Sequence, residues 1–450
     1  MKYSTLIFLI LVFFLFTNCE KRDTKRLTQN PEYIHRAVKK LTDVIVHDIF
    51  SPPVASRIYA YTMIAGYEAL VPDFPQYQSL AGQLKDLKEV PKPDPNKKYC
   101  FPLASIHAIL STAKMNFIFS PEKIEEFENQ VYDEFKKIGI SDEEYTNSLL
   151  FGTKIAEHIV SWSKTDNYRE SRTFPKYEIR DEPSRWRPTP PTYMTAVEPH
   201  WNKIRPMTLD SASQFAPPPH PTFDTTHNSS FFKEVLEVYK MKKNLTKEQI
   251  EIAQFWDNNP FVMNLVGHAS FASKQISPGG HWVGISKIAC IKSNADIMQT
   301  MATYALTGIT MLDAFISCWD EKYRSNLVRP ETVINKYIDK EWTPLLQTPP
   351  FPEYTSGHSV VSAAIAVALT SIYGENFAFT DSTEVEYGFT VRSYSSFMQA
   401  AEEACISRLY GGIHYRAAIE NGKEQGLKIG NWVIDRIRMK KITVEKIDSR

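Results

Sequence analysis

Ser356-Gly-His-Ser-Val-Val-Ser-Ala-Ala-Ile-Ala-Val-Ala-Leu-Thr-Ser-Ile-Tyr373, closed by Gly374, reads as an apolar helix that opens on a Ser-Gly turn and stops at a glycine. The free amides of a helix N-terminus, a serine hydroxyl and a glycine that lets the backbone come close make a cradle for an anion. His358 then stands over the bound group, where it is expected to act as general acid or base near neutral pH. Taken alone, the tripeptide reads more readily as an ordinary serine cap with a surface histidine.

Working outward, the chain is helix upon helix. Asn30-Pro31 starts a helix expected to run to about Ile49, and Ser120-Pro121 starts another with Ile124, Phe127, Val131, Phe135 and Ile138 on one face before Gly139. Ser141-x-x-Glu144 and Thr246-x-x-Gln249 are capping boxes before further apolar runs. No comparable series of alternating strands appears, so the fold class is mainly α. The proline-rich stretch from about 182 to 221 cannot be regular helix or central strand. It is expected to wrap the surface with Trp186 and Trp201 as anchors, dividing a helical region at 31–215 from a helical catalytic region at 222–445.

Two further segments carry cations and imidazole. Phe315, Trp319 and Lys322 share a helical face, so an apolar stripe runs into a lysine, and a lysine on a buried stripe is expected to need an anion. Pro330 pushes Arg329 out of helical geometry, which lets its planar fork turn toward the same anion. The bland reading of this pair is a helix-end salt bridge. In Ser407-Arg408-Leu-Tyr-Gly411-Gly412-Ile-His414 the glycines break the preceding helix, so Arg408 faces the cradle and His414 enters from the following turn. His414 suits a metal-oxo centre or attack on phosphorus, against the alternative of a satisfied core histidine.

The pattern Lys322-x6-Arg329-Pro330, Ser356-Gly357-His358 and Ser407-Arg408-x5-His414 resembles the superfamily shared by vanadium-dependent haloperoxidases and type 2 phosphatidic acid phosphatases. The run Pro349-Pro-Phe351-Pro-Glu-Tyr-Thr-Ser-Gly-His358 is similar to the haloperoxidase branch, and Ser51-Pro-Pro-Val-Ala-Ser-Arg57 and Phe255-Trp256-Asp257 are similar to its soluble bacterial members. The resemblance implies a helical-bundle architecture in which Lys322, Arg329, Arg408, the Ser356 hydroxyl and the Gly357 amide hold the oxygens of vanadate, or of phosphate as substrate. It implies His414 as axial vanadate ligand or phosphorylated nucleophile, and His358 as the acid–base residue. Phe351 stands where chloride-active members resemble this chain and bromide enzymes tend to carry histidine. The family pattern often ends with an aspartate four residues after the last histidine, a position held here by Ala418; Asp257 is a candidate carboxylate for fixing Arg408.

The N-terminus bears on the compartment. Met1-Lys2 leads into the apolar run Leu6–Phe16, then Cys19 and a charged stretch, as in a signal peptide over 1–18 with lipidation of Cys19 and a tether over 19–30. The expected location is outside the cytoplasm, lipid-anchored to a bacterial membrane on its periplasmic or outer-membrane side. With 52 basic and 52 acidic residues, the chain gives no sign of a nucleic-acid partner.

Two classes of function follow. One is an enzyme at an oxyanion centre, either a haloperoxidase using vanadate, peroxide and halide or a phosphatase acting on phosphomonoesters. The other is a lipoprotein that keeps the pocket and binds phosphate or a partner without catalysis, for which Ala418 is the best support.

Overall fold

A computed structural model describes residues 24–266, 269–272 and 274–441, with the side chains of 263–272 set aside. The expected signal segment and Cys19 lie outside the described residues. Helices follow one another as their caps dictate: α1 (Thr24–Thr28), α2 (Glu32–His47), α3 (Pro52–Leu70), α4 (Phe101–Lys114), α5 (Glu122–Ile138), α6 (Asp142–Ser163) and α7 (Tyr168–Ser171). After the proline-rich stretch come α8 (Ser230–Lys243), α9 (Lys247–Phe255), α10 (Pro278–Lys292), α11 (Ile297–Ser325), α12 (Pro330–Tyr337), α13 (Gly357–Tyr373), α14 (Phe397–Tyr410) and α15 (Arg416–Arg436). Strands among the described residues are limited to the hairpins β1–β2 (Met263–Val266, Ala269–Ala272) and β3–β4 (Phe379–Asp381, Arg392–Tyr394).

Both expected capping boxes are formed, Ser141 with Glu144 and Thr246 with Gln249. Gly139 closes α5 in the left-handed conformation, φ 100°. The helix expected to reach Ile49 stops at His47, and Ile49 itself takes φ 56°. Part of the expected tether, α1, is helical and buries Thr28.

The centre of the molecule is α11, whose residues from Ile297 to Lys322 are nearly all buried, with α3 on one side and α13 on another. By length and composition α11 is apolar enough to cross a membrane, yet its apolar stretch is wholly buried within the protein. Because α3 belongs to the first helical region and α11 to the second, one continuous core joins the two. The proline-rich stretch runs along α11. Trp186 and Trp201 are buried as anchors, and the Trp319 indole donates to the Val197 carbonyl at 3.2 Å. Asp313 of α11 accepts from the Met207 and Thr208 amides and the Thr208 hydroxyl at 2.6–2.8 Å, which satisfies backbone that no helix or sheet could.

The cradle helix α13 lies closest to α15. Gly422, Gly426 and Gly430, one helical turn apart, turn a side-chain-free seam toward it. A β-carbon on Gly430 would sit 2.7 Å from the Ala364 carbonyl, and one on Gly426 would run into that of Val360. Gly426→Ala is therefore expected to wedge the two helices apart and destabilise the protein by about 1–3 kcal/mol. A fall in the thermal midpoint together with weaker anion binding checks it; an unchanged midpoint contradicts the seam.

Candidate functional site

Three cations converge at one end of α11, and each is caged by backbone carbonyls. Lys322, in the last turn of α11, is fully buried. Its Nζ donates to the carbonyls of Pro352 (3.1 Å), Glu353 (3.1 Å) and Thr355 (2.5 Å) and lies 5.0 Å from the centre of the Phe351 ring. The sequence suggested that this lysine needs an anion; the structure satisfies its three donors with carbonyls. Burial brings its pKa down from 10.5 to about 7.

Arg329 is the residue before α12, extended as Pro330 requires, with φ −74° and ψ 151°. Its Nε donates to the Phe351 carbonyl and its Nη1 to that of Ile413, both at 2.9 Å. Nη2 is buried with no hydrogen-bond partner. Arg408, in the last turn of α14, donates Nε to the Ser407 hydroxyl at 2.9 Å. Its two Nη atoms reach the carbonyls that end α9, those of Ala253, Trp256 and Asp257. The carboxylate role expected of Asp257 is thus corrected. Its backbone oxygen holds Arg408, at 3.4 Å, while its carboxyl acts on the guanidinium only through space. Burial raises that carboxyl to a pKa of about 6 and lowers both guanidinium groups to about 10.

The cradle forms as expected. Ser356 caps α13, its hydroxyl accepting from the Ser359 amide at 3.3 Å, while the Gly357 and His358 amides have no carbonyl within the helix to meet. The Ser356 amide donates to the Ala418 carbonyl at 3.0 Å, which ties the cradle to α15. His358 is half-buried at its mouth, with Nε2 unpartnered and a backbone hydrogen bond to Trp256. Burial and the nearby Arg408 push its pKa well below 6.5, which favours the neutral imidazole in the anion-free site.

His414 is 3 % exposed. Its Nδ1 lies 2.8 Å from Glu353 Oε1 and its Nε2 3.1 Å from Arg329 Nη1. Burial and the cations hold its pKa well below 6.5. Nδ1–H donating to the carboxyl leaves the Nε2 lone pair facing the cations, the tautomer a metal ligand needs. Glu353 is the residue that sequence reasoning missed. The sequence lacks an acidic residue at 418, and the carboxyl comes instead from the loop before α13, also accepting from the Tyr415 amide at 2.9 Å. Its place in the run Phe351–His358 was the available signal, but nothing in spacing says that residue 353 meets residue 414. Ala418 is fully buried against the cradle, so an aspartate there would be a second buried carboxyl rather than a restored one.

Gly357, His358, Arg408 and His414 border a cavity of about 30 Å3, lined also by Phe315, Trp319 and Phe351 and by Asp257 and Asn259 of the loop after α9. Behind the loop, His281 stacks on Trp256 (4.3 Å, 14°). Burial works against its charge, yet Asp381 at 2.7 Å and Glu384 at 3.1 Å keep its pKa up at about 9. Among the described residues no cluster of acidic, histidine and cysteine side chains could hold a bare metal ion. The donor set suits an oxyanion instead: an orphaned guanidinium nitrogen, free helix amides, a hydroxyl and an imidazole lone pair. Vanadate would suit it, with Arg329, Arg408, the Ser356 hydroxyl and the Gly357 amide as donors, Lys322 adding charge from within its carbonyl cage, and His414 offering its lone pair. Cys100, Cys290, Cys318 and Cys405 are free, buried thiols.

Among known proteins, the profile of the VCPO second helical-bundle domain matches residues 335–441. A bacterial vanadium-dependent iodoperoxidase of known structure is 48% identical, with a TM-score of 0.87 over 92% of this chain and 98% of that one. A bacterial vanadium-dependent chloroperoxidase in its holo form shares the fold, at TM-score 0.64 and 18% identity over 86% of this chain and 93% of its own. Its apo form gives TM-score 0.64 and 17% identity over 86% and 94%. No curated protein matches the chain in sequence.

An anion entering the cradle raises the depressed pKa of Lys322 by adding negative charge beside it. Binding of sulfate, a tetrahedral oxyanion that does not titrate in this range, is expected to take up a proton at pH 7–8 and to weaken as pH rises further. Calorimetry in buffers of different ionisation enthalpy reads the uptake. Binding with no proton exchange would contradict the buried, depressed lysine.

Proposed function

From a chain that belongs to the vanadium-dependent haloperoxidase family, we propose an oxidoreductase that oxidises halide, iodide foremost, with hydrogen peroxide at the site between α11, α13 and α14. When bound, vanadate supplies the Lewis acidity that activates peroxide for oxygen transfer to halide. The observation that carries the assignment is the pairing of a neutral His414, turned by Glu353, with three cations whose carbonyl cages leave their charge uncancelled. Arg329 and Arg408 bind the oxyanion, with Arg329 Nη2 the donor that has no other partner, while Lys322, its protons held by carbonyls, contributes charge. The Ser356 hydroxyl, which accepts from Ser359, keeps its own proton for donation. His358, neutral and with Nε2 unpartnered, takes up a proton at the mouth of the cavity.

The walls bear on which halide reacts. Phe315, Trp319, Phe351 and Pro349 present apolar surface, and shedding water costs a large, weakly hydrated anion least. Iodide suits such a wall better than chloride, in keeping with the 48% identical iodoperoxidase rather than with the chloride activity suggested by Phe351 alone. Phosphate meets the same donors, so phosphomonoester hydrolysis is the control reaction. The non-catalytic reading rested on Ala418 and loses that support, because Glu353 supplies the carboxyl.

Purified protein reconstituted with orthovanadate is expected to oxidise iodide with peroxide faster than bromide or chloride; halide oxidation indifferent to vanadate would overturn the proposal. Arg329→Ala or Arg408→Ala should weaken oxyanion binding by about 1.5–3 kcal/mol, with lysine at either position a poor substitute for the planar fork. His414→Ala is expected to abolish turnover, whereas His358→Ala keeps most anion affinity and loses about two to four orders of magnitude in turnover. Glu353→Ala should lower vanadate affinity or turnover about 10–100-fold, and Glu353→Gln, which keeps an acceptor for Nδ1–H, should recover part of it. Equal behaviour of the two Glu353 variants would separate His414 from Glu353.

We further propose that the chain is exported and lipidated at Cys19. Cys19→Ser should release the protein from the membrane fraction or leave the precursor uncleaved, and an unchanged mass and fractionation would sink the anchor.

A further inference from the structure

Asn259 lines the same cavity as His358, Arg408 and His414, and it is 6 % exposed. Its amide orientation is fixed by the chain itself. Oδ1 accepts from the Phe261 amide at 3.0 Å, so the other end of the group is the NH2, and that Nδ2 is buried with no hydrogen-bond partner. A buried amide with both N–H bonds unmade is costly and rare, and in a cavity it marks the place of an acceptor.

The loop that carries it is held on both flanks, on the far side by Gln347, whose Nε2 donates to the Phe261 carbonyl at 3.0 Å. Arg408 grips the carbonyls of Ala253, Trp256 and Asp257 just before it. Asn258, in the left-handed conformation at φ 43°, donates Nδ2 to Glu384 at 2.7 Å, and its Oδ1 lies 3.1 Å from His281 Nδ1. Asn259 is thus presented on a pinned loop, and neither function assigned to the oxyanion donors uses it.

We propose that Asn259 Nδ2 is the halide-binding donor of this site, receiving a large monovalent anion between the loop and the aromatic wall of Phe315, Trp319 and Phe351. The proposal rests on the haloperoxidase reading above. An NH2 group offers donors only, which suits a halide; peroxide must also donate and is served less well. The Asp257 carboxyl on the same loop disfavours an anion, and Arg408, beside it, offsets that charge. The apolar wall adds selectivity, because small, strongly hydrated anions lose more on leaving water.

Asn259→Asp keeps the acceptor for the Phe261 amide, and so the turn, while removing both N–H donors; Asn259→Ala removes donors without adding charge. In the vanadate-loaded protein, each variant is expected to raise KM for iodide by about tenfold or more, the loss of a hydrogen bond to a charged group, with KM for peroxide not following. Crystals of the full chain soaked in iodide should show an anomalous peak within hydrogen-bond reach of Nδ2 in the wild type and none in Asn259→Asp. Equal rises in both KM values, an unchanged KM for iodide, or a peak that survives the substitution would overturn the assignment. Absence of vanadate-dependent oxidation in the wild type would instead remove the functional reading, and the anomalous peak would still decide whether Asn259 binds halide.

Discussion

The site depends on burying three basic side chains without a carboxylate partner for any of them. Among the described residues, Lys322, Arg329 and Arg408 make no ion pair with a carboxylate; all three are held by backbone oxygens, of 352, 353 and 355, of 351 and 413, and of 253, 256 and 257. A carbonyl offers a partial charge, enough to offset desolvation in part but too little to cancel a full positive charge. The remaining potential attracts an anion, and burial holds the pKa values of all three below their ordinary ones. Much of the fold serves the cages. The loop 351–355 wraps Lys322, α9 ends on Arg408, and α12 starts where Arg329 must be extended.

Glu353 solves a conflict inside this arrangement. A carboxylate among the cations would compete with the anion, yet His414 needs a partner on Nδ1. Burial raises Glu353 to a pKa of about 8 in spite of Arg329, so near neutral pH it accepts the imidazole proton without contributing a full negative charge. As pH rises through that value its ionised form must be buried, and the stability present below the ordinary carboxylate pKa of 4.5 is lost. Placing this group on the cradle loop also couples the ligand histidine to the anion donors, since the Glu353 carbonyl is one of the three holding Lys322.

Division of labour then follows from what each wall can offer. The start of α13, Arg408 and His414 make the polar floor, and aromatic rings and the loop 257–261 the rest of the lining, with Asn259 Nδ2 an unpartnered polar group. The seam of α13 against α15 fixes the floor. A glycine every fourth residue there brings the cradle's own backbone within reach of Ala418, which is fully buried, so that an acidic side chain at that position would be costly.

The chain's local chemistry determined by itself the helical class, both capping boxes, the glycine stop of α5, the extended Arg329 before its proline and the serine cap of the cradle. All depend on neighbours within about one helical turn. The residues that meet at the candidate site were legible for the same reason, as three short motifs that bring their own backbone geometry. Tertiary structure alone decided what surrounds them: carbonyls instead of an anion around Lys322, the backbone rather than the carboxyl of Asp257 on Arg408, Glu353 on His414 from 61 residues away, and Asn259 facing the cavity. Such contacts join segments whose separation in sequence carries no periodic signal, and burial, which sets every pKa in the site, exists only after those segments have packed.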